Sequence, residues 1–418
     1  GGGTVSKDAI NIDFEGKKID MGRLLINTDY KVDGLLDGRG IITGSMDNPQ
    51  FNGYVLSDAL SINGQLLTDL HGHVYADKSV VNVQDFSFAE SNGGRYVAKG
   101  GMKLDDSKQL FGVLDVTNGS VKNLLALLDR KNEHLDGKLN GSVEIGGTKD
   151  NPSVTVDGKI NEVSIDDKVV GDATIDASLA NRKFKITTLK LPVDEGLIAM
   201  GGTLDLDGEA DLQVALKDVD IVPFLPLVGK DIQATGWVTG VVNVTGKTKN
   251  PKVELSGAVE SGSFNGIGID EGFVLATMQD HVIQIQRIQG AKGGYKLSIY
   301  GKIPLAALYT SGYIEASNAK SMDVTIDFNE ADMAVIPLVT TSVKDATGPL
   351  KGVIRLTGTI DQPEAYGTVS VRNGTMKLAN VDSEITGIDG DLIFSGQQGD
   401  FQSRINMGKG SAGLTAKV

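Results

Sequence analysis

Cysteine is absent from all 418 residues, which removes disulfides, thiolate metal sites and thiol nucleophiles together. That absence suits an extracytoplasmic protein that must avoid stray oxidation, although it does not fix the compartment. Long apolar runs are missing too. The longest, Ile221 to Val228, carries two prolines and falls far short of the ~20 residues a membrane-spanning helix needs. The chain opens Gly1-Gly2-Gly3 without a methionine or a signal segment, so it reads as a piece of a longer protein whose membrane anchor lies outside it. Basic excess is lacking as well: the net charge is −14 and the pI near 4.8. Nucleic acid and anionic membrane surfaces are therefore poor partners, because binding to phosphates rests on clustered Lys and Arg. Aromatic residues make up only 5% of the chain.

What is present is 54 glycines, 10 prolines and 40% apolar residues, the composition of a β-rich chain with many turns and too hydrophobic for disorder. One motif recurs four times: Gly44-Ser45-Met46-Asp47-Asn48-Pro49, Gly147-Thr148-Lys149-Asp150-Asn151-Pro152, Gly246-Lys247-Thr248-Lys249-Asn250-Pro251 and Gly358-Thr359-Ile360-Asp361-Gln362-Pro363. Its prolines stand 103, 99 and 112 residues apart. A short apolar segment precedes each of the last three copies (Leu124 to Leu128, Ile221 to Val228, Ala334 to Val339), and a glycine step follows each copy at Gly93-Gly94, Gly196, Gly293-Gly294 and Gly410. Such self-similarity makes the motif architecture before it is anything else. The repeat divides one continuous body into the end of a preceding unit (1–35) and units over 36–135, 136–231, 232–348 and 349–418, each of about eight strands.

Alternation of period two dominates, as in Val81 to Val83, Leu204 to Leu206, Leu212 to Leu216, Ile283 to Ile285, Leu297 to Ile299, Val324 to Phe328 and Ile354 to Leu356. These are strands with one dry and one wet face. Asn63-Gly64, Asp136-Gly137, Asn140-Gly141, Asp157-Gly158, Asp207-Gly208 and Asn373-Gly374 read as hairpin turns. One amphipathic helix is expected at about Lys122 to Lys131, with shorter candidates at Val222 to Val228 and Asp332 to Thr340, where proline limits length. The expected fold is all-β: an elongated, mostly antiparallel sheet. Because strands twist and a flat apolar face would be a large exposed patch, the sheet should curl over that face into a trough.

The Gly-x4-Pro turns, the strands Leu139-Asn140-Gly141-Ser142-Val143-Glu144-Ile145 and Leu350-Lys351-Gly352-Val353-Ile354-Arg355-Leu356, and the apolar segments before them resemble the TamB branch of the AsmA-like superfamily. The resemblance covers nearly the whole chain. It implies a U-shaped hydrophobic β-groove (a β-taco), reaching across the periplasm of a diderm bacterium from an inner-membrane anchor toward an Omp85-type outer-membrane barrel. Its implied cargo is phospholipid, and some members are tied to outer-membrane protein assembly. A chaperone-like scaffold that templates nascent strands, or a cell-surface stalk or adhesin, are the alternatives.

Acyl chains gain about 0.8 kcal/mol for each CH₂ removed from water, so a dry path across an aqueous gap has a physical purpose. Contacts with branched aliphatics are non-directional, so such a path has no deep well. The candidate lining residues are Val81, Val83, Leu212, Val214, Leu216, Ile283, Ile285, Leu297, Ile299, Val324, Ile326, Phe328, Ile354 and Leu356; an ordinary closed core between two sheets is the competing role for them. The repeat turns at Gly44, Pro49, Gly147, Pro152, Gly246, Pro251, Gly358 and Pro363 are structural. No catalytic residue, metal or cofactor is expected. Gly246-Lys247-Thr248 imitates the end of a phosphate loop, but the earlier glycine would fall at Val241, so it reads as a turn. Asp205, Asp207 and Asp211 imitate a calcium loop that would close with Glu where Val214 stands, so a type I′ turn is the better reading. His71 and His73 share a strand without a third ligand, and His134 and His281 are isolated. A glycosidase on a parallel β-helix is the strongest enzyme rival, but that fold repeats every ~20 to 25 residues.

Overall fold

The computed structural model describes residues 1–6, 9–24, 31–127, 134–148, 150–228, 233–264, 267–292, 295–308, 321–338, 342–359, 362–380, 384–407 and 410–417. Its early strands are β1 (Gly2–Val5), β2 (Ile10–Asp20), β3 (Val32–Ser45), β4 (Asn48–Ile62), β5 (Gln65–Ala76), β6 (Val80–Glu90), β7 (Arg95–Lys103), β8 (Leu110–Ser120), β9 (Leu135–Gly147), β10 (Pro152–Ile165), β11 (Lys168–Ala180), β12 (Lys183–Val193) and β13 (Gly196–Asp205). There follow β14 (Glu209–Asp220), β15 (Ala234–Lys247), β16 (Lys252–Phe264), β17 (Ile267–Gln279), β18 (Val282–Lys292), β19 (Tyr295–Pro304), β20 (Met322–Asp332), β21 (Val343–Thr347), β22 (Pro349–Gly358), β23 (Pro363–Leu378), β24 (Glu384–Gly396), β25 (Gln398–Met407) and β26 (Gly410–Lys417). Helices are short: α1 (Met21–Leu24), α2 (Val121–Leu127), α3 (Leu225–Val228), α4 (Leu305–Leu308) and the 3₁₀ segments Val222–Phe224 and Met333–Leu338. The fold is all-β, as the alternation implies.

Two units divide the chain: Gly1–Asp194 with Ile198–Asp207, and Glu195–Leu197 with Gly208–Val418. In the first, each strand from β1 to β12 pairs antiparallel with the next. In the second, β14 to β20 do the same, β20 pairs with β22, and β22 to β26 complete the series. Strand β21 continues the line of β22, since both pair with β23. The break between them is Gly348, whose N–H donates to Asp332 Oδ2 at 2.8 Å.

The four repeat glycines all have positive φ: Gly44 at 100°, Gly147 at 76°, Gly246 at 83° and Gly358 at 82°. A side chain there would be strained, which explains why glycine opens every copy. In three copies the next residue's hydroxyl accepts a backbone N–H across the turn: Asn48 to Ser45 Oγ (3.1 Å), Asn151 to Thr148 Oγ1 (3.1 Å) and Gln362 to Thr359 Oγ1 (3.2 Å). Lys247 replaces the hydroxyl in the third copy, where the Asn250 N–H bonds to the Lys247 carbonyl at 2.8 Å.

Among the described residues the repeat holds six strands rather than about eight, with β21 and β22 counted as one line. Each Gly-x4-Pro turn ends the strand that follows a helix, each glycine step falls three strands later, and α1, α2, the Val222–Val228 turns and Met333–Leu338 follow β2, β8, β14 and β20. The overcount came from reading glycines inside strands as turns. Asp136-Gly137 and Asn140-Gly141 lie within β9 and Asp157-Gly158 within β10, and Gly141 faces Gly158 directly across the pair. Asn373-Gly374 is a bulge in β23. Asp207 and Gly208 lack the positive φ of a type I′ turn; instead the Asp207 N–H bonds to Asp205 Oδ1 at 3.0 Å, an Asx turn. Type I′ turns occur at Asn63-Gly64 and also at Asp166-Asp167, Asn181-Arg182 and Asp280-His281, where both central residues have φ between 46° and 83°.

The last residue of the strand entering α1, α2, the Val222–Phe224 turn and the Met333–Leu338 turn accepts a backbone N–H from the first residues that follow. Arg23 N–H donates to Asp20 (3.2 Å), Asn123 N–H to Ser120 Oγ (3.1 Å), Val222 N–H to Asp220 (3.1 Å) and Ala334 N–H to Asp332 Oδ1 (2.9 Å). Residues 128–131 of the expected first helix, 339–340 of the last, and Gly293-Gly294 of the third glycine step lie outside the described residues.

Candidate functional site

Residues opposite one another in adjacent strands share a face, so the register tells which side chains stand together. In the second unit one row runs Leu212, Val244, Val253, Met278, Ile283, Ile303. A second runs Val214, Val242, Leu255, Ala276, Ile285, Gly301, Val324, Leu356, and a third Leu216, Gly240, Gly257, Val274, Ile288, Ile299, Ile326, Ile354. Leu297 pairs with Gly290 on the same face, and Leu297 and Phe328 pack beside the buried cluster around Ile354. The first unit has its own row: Phe14, Gly40, Gly53, Val74, Val83, Gly100, Gly112, Ile145, Val154, Leu179, Phe184. Val81 stands next to it, between Ala76 and Met102. All of the candidate lining residues therefore fall on these two apolar faces.

The opposite face is wet. Its corresponding row in the second unit reads Gln213, Asn243, Glu254, Thr277, Gln284, Lys302, Asp323, Thr357. Arg355 donates twice to Asp323, at 2.7 and 2.8 Å, and that bond holds the Asp323 carboxyl below its ordinary range. These pairs are exposed and contribute solubility and register more than stability.

Most of the apolar face is neither buried nor bare. Ile285, Val324 and Ile354 are 6%, 5% and 8% exposed, while the other candidate lining residues are half-buried. A core closed between two sheets would bury nearly all of them. Many of the buried side chains gather in two clusters beside helices. One cluster holds Ala331, Met333, Ala346, Leu350, Ile354, Val369, Val371 and Ile388; the other holds Tyr96, Val116 and Leu139 beside Leu124 of α2. There Tyr96 donates to Glu90 Oε1 at 2.5 Å, and burial, reinforced by that acceptor, pushes the Tyr96 hydroxyl well above its usual range.

Glycine shapes the face as much as the aliphatics do. Gly40 meets Gly53, Gly100 meets Gly112, Gly141 meets Gly158, and Gly240 meets Gly257. Facing glycines let the strands bend toward this side. Beside β17 to β21 the bend is measurable: a cavity of about 360 Å³ is lined from Ile269 on β17, through Gly290, Leu297 and Ala331, to Ala346 on β21. A flat sheet would separate β17 from β21 by about 19 Å, so the strands curl over the apolar face here.

The remaining sequence candidates do not converge. The third repeat turn stands as a turn. Arg182 pairs with Asp207 at 2.6 Å. His71 bonds to Ser87 Oγ at 2.9 Å, whereas His73 bonds to Asn52 Oδ1 and stacks on Tyr54 with centroids 4.7 Å apart. His134 pairs with Asp166 at 2.7 Å. Among the described residues no group of three His, Cys, Asp or Glu is placed to hold a metal, and no helix is long and apolar enough to cross a membrane. Missed by sequence reading were Val242, Val244, Val253, Leu255, Val274, Ala276 and Met278, because glycines within their strands masked the alternation. No family model, curated protein or solved structure matches the chain.

Proposed function

We propose that the chain is a lipid conduit, in which phospholipid acyl chains lie against the apolar sheet face while head groups remain at its open side. The supporting observation is the unbroken run of Val, Leu, Ile, Met, Ala, Phe and Gly that the strand register lays across each unit, half-buried and not covered by a second sheet. Sixteen methylenes leaving water would gain about 13 kcal/mol, and similar contacts at each successive strand let a lipid move without a strong trap. In this reading no residue is catalytic. The resemblance to the TamB branch of the AsmA-like superfamily supplies the setting: the periplasm of a diderm bacterium, an inner-membrane anchor elsewhere in the protein, and an Omp85-type barrel (TamA- or BamA-like) as partner.

The test is lipid content. Protein purified from a diderm host, extracted with organic solvent and analysed by mass spectrometry, should carry phospholipid in at least one copy per chain. Folded protein that carries none, and takes none up from phospholipid vesicles, would end the conduit reading and favour a stalk.

A further inference from the structure

Resting on the conduit reading, one place on the apolar face differs from the rest. Following β18 past Ile283, Ile285 and Ile288, alternation places Gly290 and then Lys292 on the dry side. The three rows named above are apolar throughout; Lys292 is a cation just beyond their end, and by the same alternation Asp270, two residues before Gly272 on β17, stands beside it. Lys296, opposite Ala291 on β19, flanks the same opening, and both lysines are exposed. Between them and the Met333–Leu338 turn lies the cavity of about 360 Å³, whose walls are mainly Gly, Ala, Ile, Leu and Val.

Two carboxylates also line this cavity. Asp332 has both oxygens occupied, by the backbone N–H groups of Ala334 and Gly348, and Asp345 sits opposite Lys377 on β23. Glu330 stands opposite Lys296 on β20. Charge alone would not define a site here. What does is the juxtaposition of a mainly apolar cavity of ligand size with two exposed lysines, Lys292 and Lys296, among its lining residues.

We infer that this cavity is a retention site for an anionic amphiphile: one acyl chain enters beneath the Met333–Leu338 turn, and the head's phosphate or carboxylate is held by Lys292 and Lys296. Along the rest of the face lipids are held without regard to head group. Here they pause, and anionic ones pause longer.

The test places a photoreactive residue at Val335, in the cavity wall, and in separate protein at Val242, on the same unit's face away from the lysines. Each protein is loaded from vesicles of equimolar phosphatidylglycerol and phosphatidylcholine at low salt, and the adducts are read by mass spectrometry. At Val335 the adducts should favour phosphatidylglycerol about fivefold, the scale of one or two exposed ion pairs, and at Val242 not at all. Lys292→Glu with Lys296→Glu should abolish the preference, and Lys292→Arg with Lys296→Arg should keep it. Repeating the loading with palmitate in the vesicles separates the sources: preferential palmitate adducts assign a fatty acid, preferential phosphatidylglycerol adducts a phospholipid. A side chain at Gly290 would fill the cavity at little strain, since its first new atom meets only Ile269 Cγ2, at 4.0 Å; Gly290→Phe should remove Val335 adducts while the circular dichroism spectrum is kept. Equal lipid ratios at Val335 and Val242, or a ratio indifferent to charge reversal, would overturn the retention site and leave the conduit standing. No adducts at either position would overturn both.

Discussion

Gly240 and Gly257 face each other across β15 and β16, yet the structure assigns them opposite tolerances. A Cβ at Gly240 would stand 2.8 Å from the Ser256 carbonyl oxygen and 3.0 Å from Gly257 Cα, both backbone atoms that cannot rotate away. A Cβ at Gly257 would lie 3.6 Å from the Thr239 oxygen and from Val274 Cγ1, ordinary contact distances. Neither glycine has positive φ, so alanine gains about 0.5 kcal/mol at both sites from a less disordered unfolded chain. At Gly240 overpacking costs about 2 kcal/mol, for a net loss near 1.5. Stability in a repeat protein is local, so the assay is hydrogen exchange of the central amides of β15 and β16. Gly240→Ala should speed their exchange roughly tenfold, and Gly257→Ala should slow it up to threefold. Equal effects from the two substitutions would refute the claim that these facing glycines set the bend of the sheet.

Other outcomes follow from the same geometry. Ile285→Asp puts a carboxylate in the middle of the apolar face and should cut bound phospholipid severalfold, while Gln284→Asp, on the wet face, should not; lipid extraction from both proteins decides. Asp332→Ala strips the acceptors of the Ala334 and Gly348 N–H groups and should loosen Met333–Leu338 by about 1–2 kcal/mol, seen as roughly tenfold faster exchange there. Asp77 accepts from Ser79 (N–H and Oγ–H), the Tyr75 hydroxyl and the Val80 N–H. These bonds, chiefly that from the Ser79 hydroxyl, hold its carboxyl down at about 2. Its folded value is depressed, so its stabilisation is complete above about pH 4 and fades as pH falls through 2. The difference in β5–β6 turn protection between wild type and Asp77→Asn should therefore be constant above pH 4 and shrink toward pH 2.

The repeat and the strand-rich fold were legible because Gly-x4-Pro is a backbone requirement: four glycines at positive φ leave no other residue type comfortable. Alternating strands such as Val324 to Phe328 were legible because every second residue is large and apolar. Strands β15 and β16 were harder. Gly240 and Gly257 occupy apolar-face positions there, and a glycine next to Asn or Asp, as at Asn140-Gly141 in β9, carries the same local signal as a turn. The reverse error hid Asp166-Asp167, Asn181-Arg182 and Asp280-His281, type I′ turns without glycine, where Asn and Asp tolerate left-handed φ and Arg182 and His281 follow. The helix caps were visible in principle, since Asp20, Ser120 and Asp220 are spaced by one hundred residues. Lys292 was invisible as a site: only the bulge between Ile285 and Ile288 shifts the alternation enough to put it on the dry side.

The most direct measurement of the central claim is photo-crosslinking in cells, with the probe at Ile283, Ile285 or Val324 in one set of proteins and at Gln284 or Thr325 in another. Phospholipid adducts at the first set and not the second are the predicted result; adducts at neither set, in folded protein, or equally at both, would contradict a lipid path along the apolar face.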